Sequence, residues 1–256
     1  MKSNKKVTLE LLGKEKYRRI ICYPKYKTDE FKHRLKELKQ LSIEAIEFTG
    51  QKHVHNTPVL GKGCVGIVVT AYKKDEKVAL KIRRTDANRS TMQREAQMLK
   101  RANKINVGPG LLGITKNFLL MEYVEGLLLP EWTRTLTEKD IRKRLRRALR
   151  LILEQAWRLD KAGLDHGELS HAPKHIIVKP DDVPYLVDFE TASISRHVSN
   201  VTSLCQYLFI GSPIAKYIQI QLDDIDKDNL VNALRTYKES RDRKDFKEVL
   251  SKCGVL

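Results

Sequence analysis

The stretch "VLGKGCVGIVVTAYKKDEKVALKIRR", residues 59–84, constrains the fold more than any other part of the chain. It reads as strand, glycine turn, strand, charged turn, strand. Gly61, Gly63 and Gly66 stand in the spacing GxGxxGxV. With no Cβ in the way, a turn of this kind brings backbone N–H groups against phosphate oxygens. The same spacing opens dinucleotide-binding folds, but a helix must follow there. Here a strand follows, which removes that reading.

The last of these strands carries Lys81 within "VALKI", 15 residues after Gly66. Flanked by Ala79, Leu80 and Ile82, a lysine buried without a partner would be costly, so it needs an anion. Glu95 is well spaced to supply one. It lies on a helix expected to begin near Ser90, with Met92, Ala96, Leu99 and Ala102 on one face. The plainer alternative is a surface lysine on the strand's open face.

Upstream, "YRRIICYP" (residues 17–24) alternates loosely and suggests a strand. "TDEFKHRLKELKQL" has Phe31, Leu35, Leu38 and Leu41 at helical spacing, with Thr28 or Asp29 as its cap. "IEAIEFTG" suggests another strand. Together they make a small βαβ-like element, set apart from the hairpins by "QKHVHNTP". Downstream, "GLLGI" and "NFLLMEYVEG" supply two short strands. A long helix follows from "TLTEKD", with Thr137 as cap and Asp140 at the capping-box position. Ile141, Leu145, Ala148, Ile152, Ala156 and Leu159 line its buried face and Gly163 ends it. Two strands, "HIIV" and "PYLVDF", come next, and the remainder reads as helical.

Between and around those strands lies "HGELSHAPKHIIVKPDDVPYLVDFETAS", His166 to Ser193. Asp188, leaving a strand end in a chain with a glycine-rich loop, is a natural Mg²⁺ ligand for nucleotide phosphates. A free-standing zinc site from His166, His171 and His175 is the competing view. It lacks a carboxylate or cysteine at fixed spacing.

The formal net charge of +17 suits RNA or another polyanion as partner, and equally a lysine-rich surface serving solubility or heat stability. Arg142, Lys143, Arg146, Arg147 and Arg150 lie mostly off the apolar face of the long helix. They form either an anion-binding surface or a solvated face. No apolar run approaches the roughly 20 residues that span a bilayer. The basic start lacks the apolar core of a secretory signal. Cys22, Cys64, Cys205 and Cys253 are scattered and read as reduced thiols, which points to the cytoplasm.

The order of glycine-rich loop, VALK lysine, helix glutamate, "MEYVEG" connector, "HGEL" loop and "DFE" strand end resembles the protein-kinase-like superfamily. The resemblance covers roughly residues 58–195. With no long activation loop, it is closest to the RIO-type atypical kinases and the small archaeal predicted serine/threonine kinases. It implies an α+β, bilobal kinase-like fold: an α/β extension over 1–57, a β-rich N-lobe over 58–124 and a helical C-lobe over 125–256. It further implies ATP held by Gly61, Lys62, Gly63, Cys64, Gly66, Val68, Ala79, Lys81, Met121, Glu122 and Val124. In that scheme Glu95 holds Lys81, Glu122 and Val124 offer backbone groups to adenine, Asp188 binds Mg²⁺ or Mn²⁺, and Glu168 accepts the proton of the substrate hydroxyl.

Three positions depart from the superfamily pattern. Glu168 replaces the usual aspartate, one methylene shorter. Pro173 stands where a metal-binding asparagine should come, unless the loop is two residues longer, which puts His175 there. Histidine suits Mn²⁺ or Zn²⁺ better than Mg²⁺. Glu190 replaces the glycine of DFG, which should stiffen the segment. His166 would brace the loop from beneath. The expected function is an ATP- and metal-dependent serine/threonine protein kinase. The rivals are a small-molecule kinase of the aminoglycoside or choline type, and a pseudokinase or ATPase switch on an RNA-containing assembly.

Overall fold

The computed structural model describes residues 6–222 and 225–256. It is mixed α+β, with a sheet-rich part and a helical part. The chain divides into two compact units. One holds the residues up to Lys100 together with Pro109–Tyr123; the other holds Arg101–Gly108 and Val124–Leu256.

In the first unit the elements run β1 (Lys6–Thr8), α1 (Glu15–Ile21), α2 (Thr28–Gln40), β2 (Ala45–Glu47), β3 (Lys52–Val54), β4 (Thr57–Val59), β5 (Gly61–Lys62), β6 (Gly66–Lys73), β7 (Glu76–Arg83), α3 (Gln93–Asn103, whose last three residues count with the other unit), β8 (Leu111–Ile114) and β9 (Phe118–Glu122). Seven strands form an antiparallel sheet in the order β1-β2-β6-β7-β9-β8, with β5 also beside β6. The charged turn between β6 and β7 is Lys74-Asp75, both at positive φ (49° and 63°). That twist matches the flanking strands.

The pleat sorts this sheet into two faces. Ile67, Val69 and Ala71 of β6, Val78, Leu80 and Ile82 of β7, and Phe118 and Leu120 of β9 join one core with Ile20, Ile21, Phe31 and Leu38 of α1 and α2. The intervening residues, among them Val68, Ala79, Lys81 and Met121, belong to the other face. Val68 stands opposite Lys81, and Ala79 opposite Met121.

One inward position of α2 is not apolar. Arg34 is fully buried, donating to Glu30 Oε1 and to the carbonyls of Ile21 and Arg83, each at 2.7 Å, and to Asn117 Oδ1 at 3.2 Å. Arg83 also donates to Asn117 Oδ1, and Glu37 accepts from the backbone N–H and side-chain amide of Asn117. A buried guanidinium is tolerable only with its donors this well occupied. The network ties α2 to the end of the strand that carries Lys81.

Several expectations for this region change. Residues 17–24 contain a helix, not a strand, because Tyr17, Ile20 and Ile21 also fit i, i+3, i+4 spacing and that face packs on the sheet. The N-terminal element is not βαβ: β1 and β2 pair antiparallel, and β2 pairs antiparallel with β6 on its other side. The stretch "QKHVHNTP" is no spacer but the β3–β4 hairpin, turning at His55 and Asn56 with φ of 45° and 58°. Thr28 and Asp29 lie inside the first turn of α2, whose cap position is Lys27.

In the second unit the elements run β10 (Leu127–Leu128), α4 (Leu129–Thr133), α5 (Ile141–Lys161), β11 (Ile176–Val178), β12 (Pro184–Leu186), α6 (Asn200–Cys205), a π-helical turn (Gln206–Ile210), α7 (Pro213–Leu222), α8 (Lys227–Ser240) and α9 (Arg243–Lys252). β10, β11 and β12 form a small antiparallel sheet. α5 is the hub: Leu145, Ala148, Leu149, Ile152, Leu153, Ala156 and Leu159 are fully buried. Its Gln155 side chain donates to Pro184 O at 2.8 Å and accepts from Leu186 N, locking the helix to β12. Arg144 binds Asp182 with two 2.8 Å bonds, and the Trp132 indole donates to the same carboxylate. α5 starts at Ile141, with Asp140 rather than Thr137 at the cap position and with no side-chain cap bond. The Thr137 carbonyl instead closes a separate turn onto the amides of Asp140 and Ile141. Gly163, at φ 66°, follows the helix end as expected. Among the described residues, no helix is long and apolar enough to cross a membrane.

Candidate functional site

The glycine-rich segment, Lys81 and Glu95 come together in the first unit. Gly61 and Lys62 form β5, opposite Val68 and Ile67. Gly63 and Cys64 lie exposed in the turn, which closes with a 2.8 Å bond from Gly63 N to Gly66 O. Arg84, held by Asp86, donates to the Gly63 carbonyl and props the turn. A Cβ on Gly66 would stand 3.1 Å from both Cγ and Cε of Lys81 and 3.0 Å from Ile82 O. The glycine therefore gives room for the lysine stem to lie flat across the strand.

Lys81 Nζ sits 2.8 Å from Glu95 Oε1, and both side chains are about 5% exposed. The strand lysine has the anion it needs, and the surface alternative is removed. The pair fixes a cation on the sheet face that also holds Val68, Ala79 and Met121. At the end of β9, Glu122 is committed to Gly110: its backbone N–H donates to Gly110 O at 2.8 Å and its carboxylate accepts from Gly110 N. The expectation that Glu122 offers backbone groups to adenine thus loses the amide. Val124 is half-buried in the segment after β9.

In the second unit, Glu168, His175 and Asp188 converge, with one ligand atom of each within 4.8 Å of the others. The loop before β11 brings Glu168 and His175 together, and the chain leaving β12 supplies Asp188. The longer-loop alignment thus places His175 with the acids, while Pro173 is exposed. His175 Nε2 approaches Glu168 Oε2 at 2.7 Å and Nδ1 lies 3.9 Å from Asp188 Oδ2. The short approach lacks hydrogen-bond alignment, so both ring nitrogens of an imidazole 1% exposed have no hydrogen-bond partner. Burial holds the His175 pKa below its usual value, against the opposing pull of Asp188 and Glu168, which keeps a nitrogen lone pair available. Two carboxylates and a buried neutral imidazole with unused nitrogens suit a divalent cation, and the nitrogen favours Mn²⁺ or Zn²⁺ over Mg²⁺. Asp188 has φ of 72°, a left-handed conformation that costs an aspartate roughly 1–2 kcal/mol and that the surroundings must enforce.

The three-histidine zinc alternative is not assembled. His166 and His175 stack edge-to-face at 5.5 Å, but His171 is exposed and touches Ser170. His166 is fully buried against Phe189, and burial pushes its pKa down to about 4. Its Nε2 faces the Val187 carbonyl at 3.2 Å, one residue before Asp188.

The loop rests on polar supports that sequence reasoning missed. Asp160 accepts from the backbone N–H and side-chain amide of Asn200, from Val201 N and from the Tyr237 hydroxyl. Asn200 in turn accepts from His166 N at 2.8 Å and donates to Leu164 O. Asp165 and Ser193 exchange two 2.8 Å backbone bonds, and Arg196 clamps Asp165 and Thr191 O. Gly167 has φ of 90°, and an added Cβ would stand 2.4 Å from Arg196 Nη2. A signal for Asp160 existed: an acid in the last turn of a helix, where the dipole disfavours it, asks for a compensating donor set.

Comparison with known protein-family descriptions and with curated proteins finds no match for this chain.

Proposed function

We propose that the chain is an ATP- and divalent-metal-dependent phosphotransferase of the atypical serine/threonine kinase type. The observation that carries this reading is the buried Lys81–Glu95 pair with Gly66 lying over the lysine stem. A fixed cation beneath a glycine turn is suited to α- and β-phosphates. Val68, Ala79 and Met121, on the same sheet face, supply an apolar wall for a base. Glu168, His175 and Asp188 would hold the cation, which would neutralise phosphate charge during transfer. Glu168 then takes the proton of the attacking hydroxyl only if it leaves His175. The acceptor is a protein hydroxyl in this reading.

A second reading, a nucleotide-binding switch without transfer, is favoured by one observation: the Glu168 carboxylate is crowded by His175, whose Nε2 lies 2.7 Å from Oε2. Incubation with γ-labelled ATP and Mg²⁺ or Mn²⁺ separates the two. Label transferred to protein by the wild type and abolished in Asp188→Ala supports the kinase. ATP binding without transfer supports the switch, and absence of ATP binding removes both.

A further inference from the structure

We infer that the exposed face of the first half of α5 binds the phosphate backbone of a double-helical nucleic acid. Arg142, Lys143, Arg146, Arg147 and Arg150 are all exposed there, whereas Leu145, Ala148, Leu149 and Ile152 on the other side are fully buried. With a rise of 1.5 Å and a turn of about 100° per residue, the five cations occupy ~12 Å of helix and an arc of ~140°.

Helix stability argues against this placement. The N-terminal end carries the positive pole of the helix dipole, where acids are favoured and cations are not. The first turn of α5 contains no acidic residue, and Asp140 at its cap makes no side-chain cap bond. Arg146–Arg150 and Lys143–Arg147 are like-charged pairs four apart, which repel. Of the acids of the region, Asp182 is bonded to Arg144, with Arg147 of this face adding to the positive field on it, and Glu154 is bonded to Arg243 through two 2.7 Å bonds. A face that weakens its own helix is explained by a partner that relieves the repulsion.

The chemistry of the face selects that partner. It offers only guanidinium and ammonium groups, with no aromatic side chain to stack on unpaired bases and no amide to read base edges. It therefore suits evenly repeated phosphates irrespective of sequence, and a duplex presents one charge per ~1.7 Å of its axis. This inference is independent of the phosphotransferase reading.

The test compares wild type with the double variant Arg146→Gln, Arg150→Gln. Binding of labelled RNA and DNA duplexes is followed by anisotropy from about 50 to 200 mM salt. The variant should bind about tenfold or more weakly, with a log–log salt slope shallower by about two, and should melt no lower than wild type. If that variant were lost to misfolding, Lys143→Gln with Arg147→Gln should show the same effects with a slope change of about one to two. Unchanged affinity and slope in a folded variant would overturn the inference. So would polyglutamate competing as well as unlabelled duplex, which would indicate an acidic protein, or tighter binding of a single strand than of either duplex.

Discussion

Glu95→Leu strands Lys81 in a site where both side chains are about 5% exposed. Removing one partner of such a buried pair costs about 3–5 kcal/mol, against about 0–1 kcal/mol for an exposed one. Domains of this size have roughly 5–15 kcal/mol in hand, so the variant should fold but unfold at much lower denaturant. Adding Lys81→Met removes the orphan charge and fills the space with an unbranched apolar side chain. Most of the loss should return, since apolar replacement of a buried pair is often neutral or stabilising. Function should not return with it. Nucleotide at a hundred times its dissociation constant stabilises a binding protein by about 2.7 kcal/mol, and the double variant should lose most of that increment. Urea unfolding of the four proteins of the cycle, with and without Mn²⁺–ATP, gives every term. The reasoning fails in either of two ways: Glu95→Leu costs less than about 1 kcal/mol, or the rescued double variant keeps the full nucleotide increment.

Other consequences can be measured separately. Arg144 holds the Asp182 carboxyl below the usual carboxylate range, so its stabilisation is present above the unfolded value of about 3.9 and is lost as pH falls through the folded value. Asp182→Asn, which tolerates the local φ of 63°, should therefore cost about 1–3 kcal/mol at neutral pH and almost nothing in acid, read from denaturation midpoints across pH. His175→Asn should weaken Mn²⁺ binding more than Mg²⁺ binding in titration calorimetry; equal effects would exclude the imidazole as a ligand. Asn200→Ala leaves His166 N, Leu164 O and one Asp160 contact unserved and should destabilise by about 2–4 kcal/mol in chemical unfolding. Gly167→Ala should cost about 1–3 kcal/mol in the same assay, through its positive φ and the crowding by Arg196.

Much of the sheet was legible because period-two alternation and paired turns leave few alternatives between Val59 and Arg84. The Lys81–Glu95 pair followed from the same logic, since a flanked lysine requires an anion within reach. The convergence of Glu168, His175 and Asp188 was legible only in part. Nothing local says whether Pro173 or His175 faces the acids, because that depends on a turn set by His175 N donating to Ala172 O. The segment at 17–24 was misread because its alternation is only loose, and Tyr17, Ile20 and Ile21, which pack together on the sheet core, follow the helical spacing instead. Arg34 could have been suspected. It stands three residues after Phe31 and four before Leu38, on a face otherwise apolar. Its partners, Asn117 and the Arg83 carbonyl, are distant in sequence and could not have been named.

The covering of the Lys81 sheet by α1 and α2 has a practical consequence for anyone shortening the chain. Cutting before Pro58, where the glycine-rich motif begins, would strip the roof from Ile67, Val69, Ala71, Val78, Leu80, Ile82, Phe118 and Leu120 at once. It would also break the Arg34 contacts with Arg83 and Asn117, and would leave β6 with an open edge ready to pair with another molecule. A fragment chosen by motif alone should therefore aggregate.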